Sequence, residues 1–220
     1  MTWRRLCMLT VMVAIGVATA GIAQERFDYR VREDMFRAFA GNEAAFNSAM
    51  AIIDQTLSAS PDHAEALVWR GVGGFFQAGR ASGDEARTLA TSAMADMDRA
   101  LQLEPRNIGV LIPRAAVLLV AARNQRDPAR GRDFAMRAAT GFETAFALRQ
   151  GAFAGLGQHN RGEYLSGLAE SWALAGNQGK AEDYLERILV ELPGSRYAER
   201  AAAKLADWSD RRPLNCQSCH

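Results

Sequence analysis

The sequence has few prolines and glycines and almost no net charge, and each of these features excludes a class of protein. Six prolines and 19 glycines in 220 residues are too few for a low-complexity linker protein. Basic and acidic residues nearly balance, at 26 and 25, so the net charge of +1 gives no basic surface of the kind that binds nucleic acid. At 49% hydrophobic and 23% charged residues, the composition is that of one globular domain. It excludes a disordered, collagen-like or multi-span membrane protein.

Common catalytic motifs are also absent. The sequence contains no His-Glu-x-x-His, no Gly-x-Ser-x-Gly and no phosphate-binding loop. The segment Gly71-Val-Gly73-Gly74 follows no predicted strand, so we interpret it as a close contact between helices. Acidic residues such as Glu43 and Asp96 lie on predicted helix faces that also carry basic residues, as solvated surfaces do. We therefore expect no hydrolase or transferase activity.

The N-terminus contains the one long apolar run. Two arginines precede an apolar stretch from Leu6 to Ala20, and the first acidic residue is Glu25. Small residues before Ala20 and before Ala23 fit a signal peptidase site, and the stretch is short for a bilayer span. A retained anchor helix is the alternative. We predict that residues 1–23 are a signal peptide and that the protein is periplasmic or otherwise exported, with no membrane span in the mature chain.

The body of the chain, residues 24–209, shows no strand periodicity and is rich in helix-forming residues. One spacing, of four, three and five residues, recurs three times. The copies are Ala49, Ile53, Thr56, Pro61; Ala93, Met97, Ala100, Pro105; and Ala181, Leu185, Ile188, Pro193. The first three positions share a helix face, and the proline ends the helix. The spacing predicts an all-α fold of antiparallel helix pairs.

This arrangement resembles the tetratricopeptide repeat (TPR) family, whose 34-residue unit is a pair of helices. The best match runs from Gly162 to Ser195. The 44 residues from Pro61 to Pro105 exceed one unit by ten, which we assign to a loop at Ala78–Glu85. The resemblance implies a TPR-like α-solenoid whose concave surface holds a peptide or a partner protein.

The first helix of each pair should line that concave surface. Candidate lining residues are Trp69, Arg70, Phe76, Arg114, Leu118, Tyr164, Glu170 and Trp172. For the two tryptophans, burial in the core is the competing interpretation, since large aromatic side chains are usually well buried.

Residues 210–220 form a tail that ends in Cys216-Gln-Ser-Cys219-His220. Cys-x-x-Cys-His is the attachment motif of c-type haem. The two thiols can add to the two vinyl groups of one porphyrin, and the imidazole can then bind the iron on its proximal side. Removal of the signal peptide would leave no other cysteine to mispair with these two. The motif predicts covalently bound haem c.

Residues earlier in the chain, or another molecule, should complete the haem site. We expect Arg211 and Arg212 to pair with the propionates and Trp208 to shield one porphyrin face. His159 lies in a glycine-rich stretch where backbone can approach a flat cofactor, and it is a candidate sixth ligand. His63, a methionine or no sixth ligand at all are the alternatives. Two alternatives stay open. The tail could bind zinc with its two thiols, its imidazole and a fourth ligand from His159 or from a partner, or its thiols could form a disulfide.

These expectations combine into one functional hypothesis. The chain is an exported TPR-like scaffold with a C-terminal haem c, acting as an electron relay or assembly factor beside a redox system. The alternative is a non-haem periplasmic TPR adaptor whose tail binds zinc or forms a disulfide. An oxidoreductase with an open iron position is a third interpretation, for which the sequence shows no distal residue.

Overall fold

The computed structural model describes residues 26–210 and 212–214. Within these ranges every regular element is a helix. The α-helices are α1 (Phe27–Phe39), α2 (Glu43–Ala59), α3 (Ala64–Arg80), α4 (Gly83–Leu103), α5 (Ile108–Asn124), α6 (Pro128–Arg149), α7 (Gln158–Ala175), α8 (Gln178–Glu191) and α9 (Arg196–Ala206), and a 3-10 helix, Gln150–Gly155, follows α6. The predicted all-α class is confirmed. In the described part of the chain, no helix is both long and apolar enough to span a bilayer.

The helices stack as consecutive pairs. Each α-helix packs against the next one in sequence, and the short connections make these neighbours antiparallel. Odd-numbered helices also contact one another in order, α1 with α3, α3 with α5, α5 with α7 and α7 with α9. They therefore form an inner layer, which the even-numbered helices cover. This is the predicted repeat-like stack of helix pairs.

The two layers differ in how much of each helix is buried. In α7, nearly every residue from Gly162 to Trp172 is buried or half-buried. In α8, only Ala181, Leu185 and Ile188 are buried, and they lie on one face. An inner helix is enclosed by its partner and by both neighbouring pairs, whereas an outer helix faces water on one side.

The recurring spacing identifies the buried face of the outer helices, as predicted. In α2, α4 and α8, the alanine that begins the spacing is at most 2% exposed. The apolar residues at the second and third positions of the spacing are equally buried. In α2 the third position is Thr56, which is half-buried and donates its hydroxyl to the Ile52 carbonyl. Each of the three prolines lies in the turn that follows its helix.

A fourth copy of the spacing occurs in α6, at Ala138, Phe142 and Ala145, which are at most 5% exposed. Five residues further on stands Gln150 instead of proline, and the chain continues there into the 3-10 helix. The four leading alanines are 44, 45 and 43 residues apart. The repeating unit is therefore about ten residues longer than the TPR unit.

The extra residues lengthen the helices. The predicted loop at Ala78–Glu85 is wrong, because α3 continues to Arg80 and α4 begins at Gly83. These two helices have 17 and 21 residues. Their close approach requires Gly71, since a Cβ atom there would lie 2.5 Å from Met97 Cγ. The interpretation of that glycine-rich segment as a helix contact is confirmed.

Candidate functional site: the docked C-terminal segment

The chain turns back onto the helix stack after α9. We call residues 207–214 the docked segment; Arg211 within it lies outside the described residues. Lys204, in the last turn of α9, donates its Nζ to the carbonyl oxygens of Trp208, at 2.8 Å, and Asp210, at 2.7 Å. Asp207 accepts a hydrogen bond of 2.8 Å from the backbone N–H of Ser209. These local bonds fix the reversal of the chain.

Leu214 anchors the far end of the docked segment. Its backbone N–H donates to Glu170 Oε2 in α7 at 3.1 Å. Its side chain is 3% exposed and belongs to the buried cluster that contains Leu165 and Tyr197. Trp208, half-buried, packs against the same cluster. The segment that precedes the Cys-x-x-Cys-His motif is therefore part of the packed domain.

Glu170 also ties two inner helices together. Arg123 of α5 binds its carboxylate in a bidentate manner, with Nη2 to Oε2 at 2.6 Å and Nε to Oε1 at 2.5 Å. The two side chains are 15% and 12% exposed. Bidentate geometry fixes both groups, and partial burial strengthens their attraction. One carboxylate thus connects α5, α7 and the docked segment.

Sequence reasoning singled out Glu170 but missed Arg123. The pair is separated by 47 residues, and no local spacing connects the two. The prediction placed Glu170 on a concave surface open to partners. In the structure its carboxylate is occupied by groups of the same chain.

A small pocket lies beside the docked segment. It has a volume of about 320 Å³ and is lined by Arg196, Glu199, Arg200, Arg212 and Pro213. We call it the arginine pocket. The Arg212 guanidinium also binds the Asp210 carboxylate, with Nη2 to Oδ2 at 2.5 Å, and lowers the pKa of that carboxyl to about 2. Arg212, expected to pair with a propionate, is therefore one of three arginines lining a single pocket.

His159, the candidate sixth ligand or zinc ligand, lies in the first turn of α7 and is exposed. Its Nδ1 is 3.1 Å from the Tyr197 hydroxyl, which donates to Glu163 Oε1 at 2.7 Å. Burial and the bond to Glu163 raise the pKa of Tyr197.

His63, the other candidate, caps α3. Its Nδ1 accepts the backbone N–H of Ala66 at 3.2 Å, and its ring lies 5.0 Å from that of Phe27. The side chain therefore has a structural role at the start of that helix.

Gly162, the last residue of the glycine-rich stretch around His159, leaves room for the ring of Tyr197. A Cβ atom on Gly162 would lie 2.3 to 2.5 Å from three atoms of the Tyr197 ring. The close approach of a flat group to this backbone, expected for a cofactor, is made here by a side chain of α9.

Most of the predicted concave lining is buried. The side chains at most 9% exposed are Trp69, Arg114, Leu118, Tyr164 and Trp172. The prediction that these residues line an open binding surface is therefore wrong, because the inner helices are covered on several sides. The competing interpretation of both tryptophans as core residues is confirmed. Arg70 pairs bidentately with Asp96, and the half-buried Phe76 packs 5.2 Å from the Phe39 ring.

The motif residues Cys216, Cys219 and His220 lie outside the described residues, as does Arg211. Within the described ranges, no three His, Cys, Asp or Glu side chains are grouped to hold a metal ion.

Comparison of the chain with protein-family models, curated proteins and solved structures finds no match.

Proposed function

We propose that the protein is an exported helical-repeat scaffold that carries one haem c. Cys216 and Cys219 hold the porphyrin and His220 binds the iron. The protein then serves as an electron relay or assembly factor beside a redox system. The observation that carries this proposal is the Cys216-Gln-Ser-Cys219-His220 motif. The docking of residues 207–210 and 212–214 supports it, because an anchored backbone ends two residues before Cys216.

The attachment chemistry needs only the groups that the motif provides. If haem is bound, each thiol would add across one vinyl group, forming a sulfur–carbon bond, and the thiol hydrogen would go to the other vinyl carbon. No atom is lost in either addition, and no oxidant is needed. When bound, the haem supplies a one-electron redox centre. The neighbouring imidazole of His220 follows Cys219 directly, in the order that proximal ligation requires.

Docking supports a relay or assembly role because the anchored part of the chain ends at Leu214, two residues before the motif. If the tail were a flexible linker, the haem could take up positions far from the helices. Here Leu214 is hydrogen-bonded and buried, and Glu170, its partner, is itself held by Arg123. A redox partner would therefore meet the haem within reach of Leu214, at the α7 to α9 end of the stack.

Haem attachment is tested by expressing the protein in cells with an active cytochrome c maturation system. We expect a haem-stained band on a denaturing gel, a c-type spectrum and an intact mass increased by one haem. The double variant Cys216→Ser/Cys219→Ser should lose all three signals. The matched control is Gln217→Ala/Ser218→Ala, which changes only the two variable positions of the motif and should leave them unchanged.

Two results would contradict the proposal. One is exported protein whose mass shows a cystine or two bare thiols and no haem. The other is a colourless protein that binds zinc stoichiometrically through the same cysteines, which would favour the adaptor hypothesis.

A further inference from the structure

A cleft lies between the outer helices α2 and α4, over the inner helix α3. It has a volume of about 470 Å³, and its lining includes Gly74, Met50, Leu89 and Ala93. The backbone of α3 comes close to α4 here, since a Cβ atom on Gly74 would lie 3.0 Å from the Ala93 Cβ atom. Because glycine has no side chain, α3 leaves the space above Gly74 open.

A leucine fills the corresponding place in the next unit, between α4 and α6. It is Leu118 of α5, which stands 44 residues after the glycine and is fully buried. Leu118 packs with Ala138 of α6 and with the half-buried Met94 of α4. These two residues occupy the positions of Ala93 and Met50 in their helices, each at or directly after the leading alanine of the spacing. The cleft between α2 and α4 therefore has a counterpart that the chain fills from within.

A tryptophan fills the corresponding place between α6 and α8. Trp172 of α7 packs with Ala139 of α6 and Ala181 of α8, the residues at the same two positions of the spacing. Its indole N–H donates to Glu143 Oε1 at 3.0 Å, and Lys180 Nζ lies 3.8 Å from the ring centre. The fold can thus hold an aromatic ring between two outer helices, with a carboxylate as acceptor for its N–H.

Carboxylates are in excess around the cleft. Arg70 lines it and pairs bidentately with Asp96, with both N–O distances at 2.6 Å. The hydrogen bond to Asp96 and, to a smaller extent, the charge of Asp54 raise the pKa of the Arg70 guanidinium. Asp54 stands in α2 where Glu143 stands in α6, five residues after the leading alanine. Since the other lining residues are uncharged, one negative charge remains.

We infer that the cleft over Gly74 binds a tryptophan side chain from a partner protein. The indole takes the place that Trp172 has between α6 and α8, and its N–H donates to the Asp54 carboxylate. The excess negative charge suits a segment with a basic residue beside the tryptophan. Exposed residues such as Gln77 and Ser92 line the cleft, so a chain segment can reach it from solvent. This inference goes beyond the proposed function and does not depend on haem.

The test titrates the exported protein with the peptide acetyl-Ala-Trp-Lys-Ala-amide and follows the backbone amides by NMR. We expect saturable shifts at Gly74 and Ser92, which line the cleft. The same peptide with leucine in place of tryptophan should bind about tenfold more weakly, because it buries less apolar area. Glutamate in place of lysine should also weaken binding, because it would face the excess negative charge.

Two variants connect this binding to the cleft. Gly74→Leu should abolish it, because the variant fills the cleft as Leu118 fills its counterpart; its matched control is Gly79→Leu, in the same helix, where an added Cβ atom meets no atom within 4 Å. Asp54→Asn changes an exposed side chain outside the core and should weaken binding about threefold. Its control, Asp133→Asn, is exposed on α6 and should bind as the wild type does.

The inference fails if the amides of the cleft do not shift, if the leucine peptide binds equally tightly, or if Gly74→Leu and Asp54→Asn bind like the wild type. Tighter binding of free indole than of the peptide would identify a site for a small aromatic molecule and overturn the assignment to a partner protein. Shifts at the same amides on concentrating the protein alone would identify a second copy as the occupant, with the same consequence. Absence of haem would leave each of these results unchanged.

Discussion

Glu170→Ala is expected to lower the free energy of unfolding by about 3 kcal/mol, the lower part of the range for breaking a buried ion pair. The change removes the carboxylate that binds Arg123 and accepts the Leu214 N–H. The Arg123 guanidinium is 15% exposed, so it would lose this partner where water can replace it only in part. Urea unfolding measures the stability loss.

The same variant should release the docked segment. Hydrogen exchange at the Leu214 amide, which is bonded to Glu170 in the wild type, should become faster. Glu186→Ala serves as the control, because Glu186 is exposed on α8. It should change stability by no more than about 0.5 kcal/mol. Equal stability of both variants, with unchanged exchange at Leu214, would show that Glu170 does not anchor the segment.

Gly162→Ala should cost about 2 kcal/mol of stability. Overpacking typically costs about 1–3 kcal/mol, and here the added methyl group would lie within 2.5 Å of three ring atoms of Tyr197. Alanine is the better helix former by about 1 kcal/mol, which offsets part of this cost. The tyrosine ring is 6% exposed and cannot move aside without leaving the core. Denaturant unfolding provides the measurement.

A control and a rescue make this result specific. A Cβ atom added to Gly79, in the last turn of α3, would meet no other atom within 4 Å, so Gly79→Ala should be neutral or stabilising by up to about 1 kcal/mol. In a Tyr197→Leu background, Gly162→Ala should cost much less than in the wild type. The idea of a steric contact is refuted if the cost is the same in both backgrounds.

Periodic features of the fold could be predicted from the sequence. The spacing around Ala49, Ala93 and Ala181 depends only on which residues share a helix face, and these positions are buried. The unit length could not be predicted for a local reason. The fourth copy, led by Ala138, has Gln150 where the others have proline, so the regular interval of about 44 residues was hidden.

Features that depend on distant parts of the chain could not be predicted. Nothing in the sequence near Glu170 identifies Arg123 as its partner or Leu214 as a donor. Likewise, a glycine marks a place where a group can approach closely, yet only the packing of α9 shows that the group is the Tyr197 ring. Such contacts are set by the tertiary arrangement of the helices.

The hydrogen bonds that connect Leu214, Glu170 and Arg123 change how the helix stack should unfold. In a linear repeat array each unit is stabilised only by its immediate neighbours, so the last unit can fray independently. Here residue 214 is tied through one carboxylate to α5, well before the last pair. Opening of α9 therefore disturbs the middle of the array, and the C-terminal half should unfold as one cooperative block.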